Sequence, residues 1–161
     1  MRMLPEDCTI PQIFARAIAL IAIATAVVYP TPDAHADNPC DQPNEEARRI
    51  GVAMQAGIPG NATDGRFVTE ILDNRDGPTT AVSLAYRRGG SSHFSYQLRG
   101  RQDWGFGTVS AAVSSDGKRL TWRHHSPGSG RYYCEYRASM SGGRLVVATA
   151  EDRVLWSGPL G

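Results

Sequence analysis

The sequence has very little lysine, few cysteines and no uninterrupted apolar stretch of membrane-spanning length. Lys118 is the only lysine among 17 basic residues, and 16 acidic residues offset them to a formal net charge of +1. Such a balance gives no electrostatic reason to expect binding to nucleic acid or to anionic lipid. The arginine bias is typical of GC-rich bacterial coding, and it is weak evidence for a binding surface.

Common catalytic and metal-binding patterns are also missing. No serine stands in a Gly-x-Ser-x-Gly elbow. His124 and His125 are adjacent, and neighbours on a strand point to opposite faces, so we do not expect them to chelate one metal. We therefore expect no metal site, no cofactor and no enzyme activity. Four carboxylates remain as plausible catalytic material, and we interpret them as ordinary solvated side chains: Asp64, Glu70, Asp103 and Glu135.

The first 36 residues have the features of a cleaved export signal. Arg2 and Arg16 precede a largely apolar run from Ala17 to Tyr29, which is shorter than the roughly 20 residues that span a bilayer. The small residues of "AHA" at 34–36 then fit a signal-peptidase site. The sequence predicts a secreted or cell-envelope protein that begins at Asp37, with a retained membrane anchor as the alternative.

Removal of the signal leaves two cysteines, because Cys8 is lost with it. In an oxidising compartment the remaining pair, Cys40 and Cys134, is expected to form a disulfide. Closing a loop of this length stabilises a fold by roughly 4 to 5 kcal/mol in the chain-entropy model. Two buried free thiols are the alternative.

One segment of the mature chain has a helical pattern. Within the N-terminal segment 37–65 we predict a helix over 44–56, with Asn44 as the N-cap and acidic residues in the first turn. Ala47, Ile50 and Met54 recur at helical spacing. An apolar face this narrow cannot stabilise an isolated helix. We therefore expect the helix to pack on the rest of the domain.

The rest of the chain, 66–161, alternates short β-favouring runs with turn clusters. Eight strands are predicted, at residues 66–72, 79–86, 93–98, 106–113, 118–124, 131–138, 144–149 and 153–157. Asp116-Gly117 stands at a hairpin tip between two of them. The fold class is thus mainly β: an antiparallel meander that forms a barrel or a sandwich, in one globular unit over 37–161.

The alternation within the strands also assigns faces. The residues predicted to face the core are Val82, Leu84, Tyr86, Phe94, Tyr96, Leu98, Val109, Ala111, Val113, Leu120 and Trp122. In "RYYCEYRA", Tyr132, Cys134 and Tyr136 share one side, while Tyr133 and Glu135 share the other. We therefore expect Cys134 to face the docked N-terminal segment.

Four aromatic residues at turn edges or off the predicted core face are candidates for a binding surface: Trp104, Phe106, Tyr133 and Trp156. Core filling is the competing interpretation. We expect an exported domain that binds a protein or cell-envelope partner, of which an inhibitor is one form. The alternatives are a carrier of a small apolar ligand within a barrel and a hydrolase that uses carboxylates.

Overall fold

The computed structural model describes residues 38–74, 77–126 and 133–161, all within one compact unit. The predicted signal segment 1–36 lies outside the described residues. One helix, α1, spans Asp41–Gly57. The strands are β1 (Arg66–Asp73), β2 (Ala81–Arg88), β3 (Ser91–Arg99), β4 (Thr108–Val113), β5 (Arg119–His125), β6 (Tyr133–Ser141), β7 (Arg144–Thr149) and β8 (Val154–Pro159). The predicted mainly β meander is confirmed, although predicted strand positions 131 and 132 are not described.

The strands form two antiparallel sheets, in the orders β1-β2-β3 and β4-β5-β6-β7-β8. The sheets do not close into a barrel, so of the two predicted alternatives the two-sheet arrangement agrees with the topology. The ladder is interrupted between β3 and β4, where a short 3₁₀ helix (Gln102–Trp104) diverts the chain. That turn is held by an isolated bridge between Arg101 and Phe106.

The two sheets approach each other where β4 lies beside β1 and β2. The amide of Val109 donates to the carbonyl of Thr79, and the amide of Phe67 donates to the carbonyl of Gly117. Helix α1 contacts β3, the edge of the first sheet, as well as β6, β7 and β8 of the second. It therefore links the edge strands β3 and β8, which no strand ladder joins.

The core between the sheets contains the residues that the alternation predicted. Tyr86, Leu98 and Trp122 are fully buried, whereas Tyr96, Ala111 and Val113 are partly buried at its margin. Ala47, Ile50 and Met54 bring the apolar face of α1 onto the same cluster. The predicted docking of the helix on the sheets is confirmed.

Helix α1 begins at Asp41, three residues before the predicted start, so Asn44 is not its N-cap. Cys40 occupies the capping position, and the amide of Asn44 already donates to the carbonyl of Cys40 at 2.7 Å. The first turn accommodates Pro43, because a proline there removes an amide that has no intrahelical acceptor. Among the described residues, no helix is both long and apolar enough to cross a membrane.

Candidate binding surface around Tyr133

Tyr133 is the first residue of β6, and its large aromatic side chain is exposed to solvent. It is 56% exposed, while its neighbour Cys134 and the next inward residue Tyr136 are buried. The alternation of faces along β6 is therefore as predicted, with Tyr132 outside the described residues. An exposed tyrosine combines a large apolar area with a polar hydroxyl, and such residues are enriched at interfaces.

The strand that carries Tyr133 is fixed by the predicted disulfide. Cys40 and Cys134 are bonded, with their Cα atoms 5.6 Å apart. The hydroxyl of Tyr136 donates to the carbonyl of Cys40 at 3.3 Å, one inward position further along β6. The first turn of α1 and the start of β6 are thus joined at two successive points.

A cleft of about 470 Å³ lies at this junction. Its lining residues come from the start of α1, from β6 and from the β7–β8 turn: Asn38, Cys40, Asn44, Tyr133, Cys134, Glu135, Tyr136, Thr149, Ala150, Glu151 and Arg153. The volume is within the range of small-ligand sites and of pockets that take one anchoring side chain. Tyr133 lies on its wall and also faces the outer surface of the sheet.

The cleft carries charge of both signs. The Thr149 side chain lowers the pKa of Glu151, and Arg153 acts in the same direction. Burial raises the pKa of Glu135, but hydrogen bonds from Arg123 and Arg137 outweigh it and hold that pKa below its ordinary value. Both carboxylates are therefore ionised at neutral pH. Glu151 is exposed and can accept from a polar partner, whereas both oxygens of Glu135 are paired with arginines.

The same arginines form an ion-pair ladder across the outer face of β5, β6 and the β7–β8 turn. Arg123 Nε lies 2.6 Å from Glu135 Oε2, and Arg137 Nη2 lies 3.0 Å from Glu135 Oε1. Arg137 continues to Asp152 at 3.3 Å. The guanidinium of Arg123 is 5.9 Å from the centre of the Tyr133 ring, so Glu135 orients a cation toward the exposed aromatic.

A second groove, of about 280 Å³, lies on this outer face. It is lined by Ser110, Ala111, Ala112, Thr121, Arg123 and Glu135. Beside it, Ser110 Oγ and His125 Nε2 are 2.9 Å apart, joining β4 to β5. Burial lowers the pKa of His125, and the nearby Arg123 and His124 lower it further. The histidine is therefore neutral at neutral pH.

The other three predicted surface aromatics do not join Tyr133 in one site. Phe106 is only 2% exposed, so it has the core position that competed with a surface role. Trp104 is half-buried, with the Arg101 guanidinium 4.3 Å above its ring. Trp156 is also half-buried and packs against the backbone of Gly51 in α1.

Two adjacent histidines lie on opposite sides of β5, as the alternation predicted: His124 is fully buried and His125 is half-buried. His124 Nε2 is 3.0 Å from Glu46 Oε2, and the Tyr96 hydroxyl donates to Glu46 Oε1 at 2.9 Å. Burial, followed by the charge of Glu46, raises the pKa of Tyr96 to about 12. This buried cluster joins α1, β3 and β5.

The four carboxylates singled out by sequence are dispersed over the fold. Asp64 pairs with Arg88 at 2.6 Å, and Arg101 donates to Asp103 at 2.9 Å. Hydrogen bonds from these arginines lower the pKa of both aspartates. Glu70 is exposed on β1. Only Glu135 lines the cleft and groove described above.

Within residues 38–74, 77–126 and 133–161, no group of three or more His, Cys, Asp or Glu side chains is arranged to hold a metal ion. No protein-family model matches the chain, and no curated protein matches it.

Proposed function

We propose that the chain is an exported binding domain that recognises a protein partner through the surface around Tyr133. The observation that carries this proposal is the exposure of Tyr133 on a strand whose next residue is held by a disulfide. A large aromatic side chain on a rigid base contributes contact area while losing little conformational entropy on binding.

The neighbours of Tyr133 support a protein partner. Tyrosine and arginine are the residue types most enriched among side chains that dominate interface energies, and Arg123 lies beside Tyr133 in an orientation fixed by Glu135. The adjoining cleft adds the charged groups of Glu151 and Arg153. An anchoring side chain in the cleft, with polar contacts at its rim, is the arrangement expected of such an interface.

Export is part of the proposal. It is supported by the basic, apolar and small-residue pattern of residues 1–36 and by the Cys40–Cys134 disulfide, because disulfides persist in oxidising compartments. We propose a secreted or cell-envelope location, in a bacterium, with the mature chain starting at Asp37.

The two alternative functions have less support. A carrier of an apolar ligand needs an enclosed interior, but the two sheets are not closed into a barrel and large side chains such as Trp122 and Tyr86 occupy the core. A carboxylate hydrolase needs one acid with a raised pKa, whereas the pKa values of Asp64, Asp103 and Glu135 are lowered by arginines.

Native mass spectrometry of the exported protein, purified from its own host, tests the proposal. The wild type should carry a protein partner, Tyr133→Ala should lose it, and Val154→Ala should retain it. Val154 is the matched control because it is equally exposed, at 57%, on β8. A retained small apolar molecule would favour the carrier instead, and a partner that survives Tyr133→Ala would exclude this surface.

A further inference from the structure

We propose that Ser110 is an activated nucleophile with His125 as its base, and that the outer-face groove beside it accepts a small carboxylic ester. This activity is additional to the proposed binding function. The elements are two side chains on neighbouring strands, a cation opposite the serine, and a groove of about 280 Å³ that Ser110 lines.

The register of the β4–β5 hairpin creates the serine–histidine contact. Ser110 is directly opposite Arg123, and Thr108 is opposite His125, so Ser110 and His125 are diagonal neighbours on the outer face. Their Oγ and Nε2 atoms are 2.9 Å apart. A serine hydroxyl within hydrogen-bond distance of an imidazole is the basic requirement for general-base activation.

The protonation state of His125 suits a base. Its pKa is lowered from 6.5, first by burial and then by Arg123 and His124, so the ring is neutral at neutral pH. In the tautomer with its proton on Nδ1, Nε2 accepts the hydroxyl proton of Ser110. Among the residues that the structure describes, the charged and titratable neighbours of this ring are Arg123 and His124 on β5 itself and Tyr133 opposite it on β6.

Arg123 is placed to stabilise negative charge. It lines the groove directly across the ladder from Ser110, and its Nε donates to Glu135 at 2.6 Å. That bond fixes the guanidinium of Arg123 beside the groove, which Glu135 also lines. A fixed cation beside a reacting carbonyl stabilises the oxyanion that develops there.

The resulting reaction balances with water alone. Ser110 Oγ forms a bond to the ester carbonyl carbon as its proton moves to His125 Nε2, and the carbonyl π electrons move to oxygen beside Arg123. Collapse breaks the bond to the alkoxy group, which leaves as the alcohol with the proton from His125. Water then hydrolyses the acyl-serine by the same steps and releases the carboxylic acid.

Phenylmethylsulfonyl fluoride and p-nitrophenyl acetate provide the test, on purified protein with the Cys40–Cys134 disulfide formed. We expect one sulfonyl adduct on Ser110, mapped by peptide mass spectrometry, and release of p-nitrophenol. Ser110→Ala should abolish both, and His125→Gln should slow both by at least about 100-fold. The rate should rise with pH as His125 loses its proton, with a midpoint below pH 6.5.

Ser139→Ala is the matched control. Ser139 lies on the same outer face and is opposite an arginine, Arg119, but the next outward residue of β5 is Thr121 rather than a histidine. This variant should react like wild type. Melting curves establish that each variant is folded. Absence of an adduct, equal labelling of Ser139, or a rate unaffected by His125→Gln would overturn the proposal.

Discussion

His124 Nε2 lies 3.0 Å from Glu46 Oε2 in the protein interior, and this contact joins α1 to β5. The two atoms are close without the alignment of a hydrogen bond, while the second oxygen of Glu46 accepts from the Tyr96 hydroxyl. The rings of Trp104 and Phe106 lie about 6 Å from the His124 ring, at 6.2 and 6.0 Å, and exclude water from it. The carboxyl side chain of Glu46 is therefore buried in the core.

Glu46→Ala should strongly destabilise the fold. The substitution removes the carboxylate that accepts from the Tyr96 hydroxyl and lies beside the buried His124 ring, and a buried polar group left unsatisfied costs about 1 to 3 kcal/mol. Glu45→Ala is the control, because its contact with Arg48 is half exposed and is worth less than about 1 kcal/mol. Urea unfolding monitored by tryptophan fluorescence measures the stability of both variants. Similar losses in the free energy of unfolding would show that the buried contact does not stabilise the fold.

Reduction of Cys40–Cys134 should loosen the start of α1 before the sheets. The strands contribute most of the core, whereas the first turn of the helix is held by the disulfide and by the Tyr136–Cys40 hydrogen bond. Hydrogen exchange on oxidised and reduced protein should therefore become faster mainly in residues 41–47. Two titratable thiols in the native, unreduced protein would contradict the account, as would uniform loss of protection.

Gly57→Ala should disturb the contact between α1 and β3. A Cβ at Gly57 would come within 2.4 Å of the His93 carbonyl oxygen, and a strand backbone cannot move aside as a flexible side chain can. We expect a loss of about 1 to 3 kcal/mol in the free energy of unfolding. Gly161→Ala, whose Cβ would make an ordinary 3.5 Å contact, should leave the stability unchanged. Thermal melts in which Gly161→Ala is less stable than Gly57→Ala would contradict this packing.

Glu135→Gln should make the free energy of unfolding less dependent on pH in the acidic range. The two arginines hold the pKa of Glu135 below its ordinary 4.5 in the folded state. The contribution of Glu135 to stability is therefore complete above its pKa in the unfolded state. It is lost as the pH falls through its pKa in the folded state. Wild type should lose more stability than the variant below about pH 4.5, and the exposed Glu70→Gln should follow wild type. If the stability of wild type and of Glu135→Gln changed with pH in the same way, the ion pairs of Glu135 would not stabilise the fold.

The period-two patterns made the strands and their buried faces predictable. Leu120 and Trp122 alternate with polar residues, and alternation is enough to assign a face without knowing the partner strand. The sheet break was not predictable, because it depends on a 3₁₀ turn over Gln102–Trp104 whose sequence is only turn-like. The start of α1 differs from the prediction because Asn44 has the side chain of an N-cap, whereas the first turn begins at Asp41, next to the Cys40 that contacts with β6 hold in place.

The candidate surface was only partly predictable. Tyr133 was found from its place opposite Cys134 in the strand pattern, but the cleft beside it combines segments far apart in sequence. The Ser110–His125 contact could have been predicted from the Asp116-Gly117 hairpin turn. Gly117 has a φ of +72°, which suits that turn, and pairing outward from it places Ser110 beside His125.

Photocrosslinking from position 133 tests the central claim most directly. With p-benzoylphenylalanine in place of Tyr133, irradiation of the exported protein in its own host should give one discrete product with a protein partner. The same amino acid in place of Val154, at equal exposure on β8, should give none. No product from position 133, or the same product from both positions, would contradict a binding surface centred on Tyr133.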